Sequence, residues 1–155
     1  MLFLGRFEYA MDDRGRVPMP SRFRDAFAGG AVLAPAPPRC LRVYTTDAYE
    51  RTAALILAQG AHTERGQQLR RAFFGRTYEG ELDKASRLLV PAALRQRLGL
   101  EGQVTILGCG DYLELWDSAA CEAELAGAEA LYPQHLEQLD QLGQTAHAEG
   151  AGGDA

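Results

Sequence analysis

Apolar and polar residues alternate over Phe7-Glu-Tyr-Ala-Met11, the period of a half-buried strand. A turn follows at Asp12-Asp13-Arg14-Gly15, where aspartate can bond its own backbone and Gly15 permits positive φ. Arg16 to Met19 returns as a short strand, and Pro18, which has no amide hydrogen, must face away from a ladder partner. Pro20-Ser21 opens a helix predicted through about Ala28, with Ser21 near the cap and Phe23, Ala26 and Phe27 on one face. Gly29-Gly30 ends it. A strand at Ala31 to Leu33, a loop over APAPPR and a strand at Leu41 to Tyr44 come next. Thr46 or Asp47 caps a helix running to about Gln59, Gly60 breaks it, and a connecting helix spans Thr63 to Phe74.

The order then repeats. Tyr78 to Leu82 reads as a strand, Asp83 to Ser86 as the turn, Arg87 to Val90 as a strand, and Pro91 to Leu98 as a helix stopped by Gly99. Gln103 to Leu107 and Tyr112 to Trp116 form a hairpin across Gly108-Cys109-Gly110-Asp111. Asp117 or Ser118 caps a last helix that fades toward Gly127. An offset of 71 places Phe7 on Tyr78, Asp12 on Asp83, Arg16 on Arg87, Pro20 on Pro91 and Arg24 on Arg95. LRVYTTDA and LELWDSAA continue the match at an offset of 72 (Leu41 to Leu113).

Each half is therefore β-turn-β-α-β-β-α, an α+β unit that exposes a strand edge and a one-sided helix and is too small to be stable alone. Interleaving strands from both halves into a closed barrel would remove those edges. The chain divides into a first half (1–60), a connecting helix (61–76), a second half (77–126) and an acidic extension (127–155), expected to be disordered from about Gly143.

Net charge is −5, but its distribution is uneven. All sixteen bases lie between Arg6 and Arg97, against ten acids through residue 97, a balance of +6; eleven acids and no base follow. The pattern is a basic binding body with an acidic end. No stretch approaches the ~20 apolar residues of a membrane span, and MLFLGRFEYA is too short in apolar residues for a signal peptide, so the expected location is cytoplasmic. Cys40, Cys109 and Cys121 are isolated, far in sequence from His62, His135 and His147, so no zinc site, disulfide framework, metal or cofactor is expected. No Ser/His/Asp order, P-loop or H-E-x-x-H is present, and Gly108-Cys109-Gly110 reads as a turn rather than a reactive thiol. No enzyme and no small-molecule substrate is expected.

Asp12-x-x-Gly15-Arg16, its echo Asp83-x-x-Ser86-Arg87, the prolines that follow and the closing Leu115-Trp116-Asp117 resemble the MraZ family over roughly residues 1–135. The resemblance implies a swapped-hairpin AbrB-type barrel in which two SpoVT-AbrB-like halves form a pseudo-dimer within one chain. It also implies a ring-forming homo-oligomer, nucleoid-associated, that binds short G-rich direct repeats in double-stranded DNA at the promoter of its own cell-division and cell-wall gene cluster, and represses it. DNA contact is carried over to Arg16 and Arg87, with Arg14 and Lys84 as flanking bases and Asp12, Gly15, Asp83 and Ser86 as shapers of the turns.

Physical chemistry supports those roles. The arginine fork pairs bidentately with O6 and N7 of guanine, and a two-stranded ribbon fits the major groove. Arg14 and Lys84 suit phosphates, which position a protein without reading sequence. Asp12 closes the turn or orients Arg16, and Arg16 itself is either a DNA contact or an internal ion pair. Arg22 and Arg24 reach phosphates or lie on a solvated helix face. Ser86 stands where the first copy has Gly15, at a cost of about 1 kcal/mol if positive φ is required; the first copy is therefore expected to dominate DNA reading. The alternative function is an AbrB-like antitoxin or a scaffold that binds a basic partner through the acidic end.

Overall fold

The alternating segments form antiparallel strands, and helical segments connect them in an α+β arrangement. The computed structural model describes residues 1–150, with side chains through residue 146, in two units: Met1–Ser118, and a second beginning at Ala119. The elements are β1 (Arg6–Ala10), β2 (Arg16–Pro18), two 3-10 turns (Ser21–Phe23 and Asp25–Phe27), β3 (Ala31–Ala36), β4 (Cys40–Thr45), α1 (Thr46–Leu57), α2 (Glu64–Phe74), β5 (Tyr78–Gly80), β6 (Arg87–Leu89), α3 (Ala92–Leu98), β7 (Gln103–Gly108), β8 (Leu113–Asp117) and α4 (Ser118–Gly150).

The halves exchange strands. A six-stranded sheet runs β1-β7-β8-β4-β3-β5, so β1 of the first half pairs with β7 of the second, and β5 with β3. β2 pairs with β6 in a separate two-stranded ribbon. The register carries the duplication: Val17 faces its own repeat equivalent Leu88, and Arg42 faces Glu114, its equivalent at the later offset. The bonds flanking the ribbon obey the same symmetry, with the Met19 amide donating to the Ser86 carbonyl (3.0 Å) and the Val90 amide to the Gly15 carbonyl (2.9 Å). A pseudo-two-fold axis thus passes between Val17 and Leu88 and between Arg42 and Glu114.

Val17 and Leu88 point inward from the ribbon onto Val43, Ile106, Leu113 and Leu115 of the large sheet. The void left between them is about 10 Å³, no more than one water's worth, so this is packed core and not a ligand cleft. Phe3, Phe7, Phe23 and Phe27 close one side of the same core through ring contacts of 5.1–5.5 Å.

Several sequence expectations need correction. The hydrogen-bonded sheet is open rather than a closed barrel: β1 and β5 are its edges, because β2 and β6 spend their ladder bonds on each other. The helix expected from Pro20 to Ala28 is two successive 3-10 turns, and the Ser21 side chain makes no capping bond. Its second-half equivalent is a true α-helix; Ala-Ala-Leu-Arg-Gln-Arg-Leu favours helix over Ser-Arg-Phe-Arg-Asp-Ala-Phe. Part of the APAPPR loop belongs to β3, with Pro35 in the stretch beyond the three residues that pair with β5, where no amide is needed on that side. Thr45, not Thr46 or Asp47, caps α1 by accepting from the Ala48 amide at 3.2 Å.

β5 ends at Gly80, and Leu82 makes only an isolated bridge to Leu88. The last helix does not fade at Gly127. α4 continues to Gly150 through Gly127, Gly143 and Pro133, because the intervening residues are largely Ala, Leu, Glu and Gln and each internal glycine costs only ~1 kcal/mol. Of the tail expected to be disordered from about Gly143, residues 151–155 lie outside the described residues.

Candidate nucleic-acid interface

The two Asp-x-x-(Gly/Ser)-Arg turns are built alike. In the first, Asp12 Oδ1 accepts from the amides of Arg14 (3.0 Å) and Arg16 (2.9 Å), while the Gly15 amide closes onto the Asp12 carbonyl at 3.0 Å. In the second, Asp83 Oδ1 accepts from Ala85 and Arg87 (both 2.9 Å), and the Ser86 amide closes onto the Asp83 carbonyl at 2.9 Å. Gly15 has φ +85° and Ser86 +58°, so both turns need the left-handed conformation anticipated from Gly15. A side chain at Gly15 would also meet the Arg95 side chain, 2.7 Å from its Cδ, and would displace it from its bond to the Val90 carbonyl.

Ser86 bears the strain alone. Ser86→Gly is expected to raise stability by about 0.5–1 kcal/mol, because release of ~1–2 kcal/mol of left-handed strain outweighs the flexibility of glycine. A thermal melt reads this as a rise of roughly 1–4 °C; a fall would show that the Ser86 side chain contributes more than its strain costs.

Each turn aspartate also holds its arginine. Arg16 Nε donates to Asp12 Oδ2, and Arg87 Nε donates to Asp83 Oδ2 at 2.9 Å. The register adds a contact that sequence reasoning missed: Arg87 Nη1 lies 4.0 Å from Asp12 Oδ2, so both motif arginines gather at one carboxylate. The Arg16 amide, then its guanidinium and the Arg14 amide, hold the Asp12 carboxyl below its ordinary value against partial burial. Asp83 is held low in the same way, first by the Arg87 amide. Both acids are therefore ionised at neutral pH and keep the guanidiniums in place.

Period-two alternation does the rest. With Val17 and Leu88 inward, Arg16, Pro18, Arg87 and Leu89 share the outward face of the ribbon. The ion pairs leave both arginines about a third exposed (28% and 34%), each hydrogen-bonded to its turn aspartate through Nε. At the tips, Arg14 and Lys84 are exposed. They are not equivalents, since Lys84 falls on Asp13 and Arg14 on Ala85, so the second tip is the more positive by one charge.

Arg22 and Arg24 separate. Arg22 is exposed and lies over the Phe7 ring at 5.7 Å, a position from which its charge still faces solvent. Arg24 Nε donates to the Met19 carbonyl at 3.2 Å, as Arg95 does to Val90 at 3.0 Å, so this repeated arginine ties the strand end to the segment after it.

A second charged site missed in the sequence lies on the pseudo-axis in the large sheet. Arg42 stacks 4.5 Å over Tyr112 with Nε 4.0 Å from Glu114, whose carboxylate accepts from Trp116 Nε1 (3.2 Å) and from the thiols of Cys40 and Cys109 (3.4 Å each). Opposite charges at equivalent repeat positions, Arg42 and Glu114, were the available signal. Burial pushes the Cys40 thiol up, away from thiolate chemistry. Among the described residues no group of His, Cys, Asp or Glu is arranged to hold a metal, and no helix is long and apolar enough to cross a membrane.

Comparison with known proteins agrees with this duplicated architecture. A family model described as "MraZ protein, putative antitoxin-like" matches residues 2–70 and 73–144, two segments whose starts differ by the repeat offset of 71. Curated relatives named "Transcriptional regulator MraZ" include one from Thermomicrobium roseum, 37% identical over 130 residues, covering 83% of this chain and 92% of that protein. Another, from Salinispora tropica, is 33% identical over 83% of this chain and 90% of its own. A third, from Dehalococcoides mccartyi, is 30% identical over 90% of this chain and 99% of its own. The chain belongs to the MraZ family of transcriptional regulators.

Proposed function

We propose that the protein regulates transcription by inserting the outward face of the β2–β6 ribbon into the DNA major groove. The observation that carries this reading is the placement of Arg16 and Arg87 together on one face of a two-stranded ribbon, each pre-set by a turn carboxylate. A ribbon of that width enters the major groove, and a held guanidinium offers its fork to guanine O6 and N7. Arg14 and Lys84 at the tips engage phosphates, with Arg22 as a further phosphate contact. The strand exchange supports the swapped-hairpin AbrB-type pseudo-dimer as the binding unit. Its targets are short G-rich direct repeats at the promoter of its own cell-division and cell-wall gene cluster, which it represses as a homo-oligomeric ring on the nucleoid.

A second reading rests on α4. Its described residues expose Leu131, Tyr132, Leu136, Leu139 and Leu142 and include no Lys or Arg, a surface suited to a basic protein partner, as in an antitoxin. One experiment separates the two. The full chain and a chain ending at residue 126 are expected to bind promoter DNA with the same affinity, log K falling steeply with log salt at about −0.9 per phosphate neutralised. A flat salt response, or loss of binding on truncation, contradicts the ribbon as the binding element.

A further inference from the structure

The outward face of the ribbon carries two apolar residues to which the arginines assign no role. Leu89 is 54% exposed and stands directly opposite Arg16; Pro18 stands directly opposite Arg87. The repeat offset of 71 carries Pro18 onto Leu89, so each motif arginine has one apolar cross-strand neighbour. The two are unequal in reach, because a leucine side chain projects beyond a proline ring.

Resting on the DNA-binding reading, we propose that Leu89 is a specificity-determining residue that packs against the C5-methyl group of a thymine adjacent to the guanine engaged by Arg16. Directly opposed side chains on antiparallel strands leave the backbone about 4.5–5.5 Å apart at Cβ. Successive bases are ~3.4 Å apart along the duplex, so such a pair addresses neighbouring base pairs. The reaches also fit. Arginine is long enough for guanine O6 and N7 at the floor of the groove, while the thymine methyl stands out from its base edge toward a shorter apolar side chain. Val17 and Leu88 bury the opposite face of the ribbon, which fixes the direction in which Leu89 points. The Arg16–Leu89 unit thus reads a guanine and a thymine together, and the Arg87–Pro18 unit reads guanine with a weaker apolar contact.

The test uses the full chain and promoter duplexes in which each thymine next to a guanine is replaced by deoxyuridine, which removes only the methyl group. On a single-repeat duplex, replacement of one thymine is expected to weaken wild-type binding about fourfold, the value of one buried carbon at ~0.8 kcal/mol. Leu89→Ala should lose the same factor on thymine DNA and nothing further on deoxyuridine DNA, whereas Leu89→Met should retain the methyl response. The proposal is overturned if deoxyuridine leaves wild-type affinity unchanged at every position, or weakens wild type and Leu89→Ala equally. It is also overturned if Leu89→Ala breaks up the oligomer with the methyl response intact, which would mark Leu89 as a subunit contact. A wild-type protein that binds promoter and scrambled duplexes alike removes the DNA-reading proposal itself, a result seen before any methyl comparison is made.

Discussion

Arg16→Ala is expected to lower affinity for promoter repeats by about 10- to 100-fold, since one bidentate guanine contact contributes ~1–3 kcal/mol of discrimination. Binding to scrambled DNA should change far less, because Arg14, Lys84 and the other bases remain. The fold should survive. The Asp12–Arg16 ion pair is partly exposed and contributes little to stability, and Asp12 keeps its backbone bonds from Arg14 and Arg16 in the variant. Arg16→Lys is the sharper control: it keeps the charge but loses the planar fork, so it should bind nearly as salt-dependently as wild type while losing preference for guanine. Arg87→Ala should cost less, because Asp12 as well as Asp83 draws on Arg87 and competes for the Nη1 donor that a base would use. Unfolding or loss of the oligomer in Arg16→Ala would show that the residue is an internal ion pair and not a reader.

A larger effect is expected from the DNA. One chain offers two motif arginines, so the proposed ring would engage several repeats through weak, repeated contacts. Linking repeats on one duplex makes each further contact intramolecular, and three repeats should bind about 10²- to 10⁴-fold more tightly than one. The gain depends on spacing that lets adjacent subunits engage at once, so inserting half a helical turn between repeats should abolish much of it. Titration of one-, two- and three-repeat duplexes measures this directly; equal affinities contradict the multivalent mechanism.

The local parts of this site were legible in the sequence because local rules govern them. Asp12 and Gly15 specify a turn by their own hydrogen-bonding and φ preferences, and the aligned Asp83 and Ser86 extend it to the second half, including the positive φ of Ser86. Strand boundaries near Val17 and Leu88 follow from alternation. What the sequence does not display is register between distant segments. That Val17 lies against Leu88 brings Arg87 to Asp12 and puts Leu89 beside Arg16, yet the pairing joins residues 71 apart. Duplication hinted at strand exchange but also suggested a closed barrel, whereas the ribbon withdraws β2 and β6 from the sheet.

Helical misreadings have energetic causes. Between Pro20 and Ala28, Ser-Arg-Phe-Arg-Asp-Ala-Phe has a lower helix propensity than the equally long Ala92–Leu98, and it settles into two 3-10 turns that still bury Phe23 and Phe27. In α4 propensity accumulated over a long run carries the helix past Gly127, where the sequence alone reads as a fading helix.

Footprinting of the DNA upstream of the protein's own gene, with wild type and Arg16→Ala side by side, tests the central claim most directly. Wild type should protect a set of G-rich direct repeats at regular spacing, and Arg16→Ala should protect none of them at the same concentration. Identical footprints from the two proteins, or no protected repeats with wild type, would contradict the assignment of the β2–β6 ribbon as the DNA-reading element.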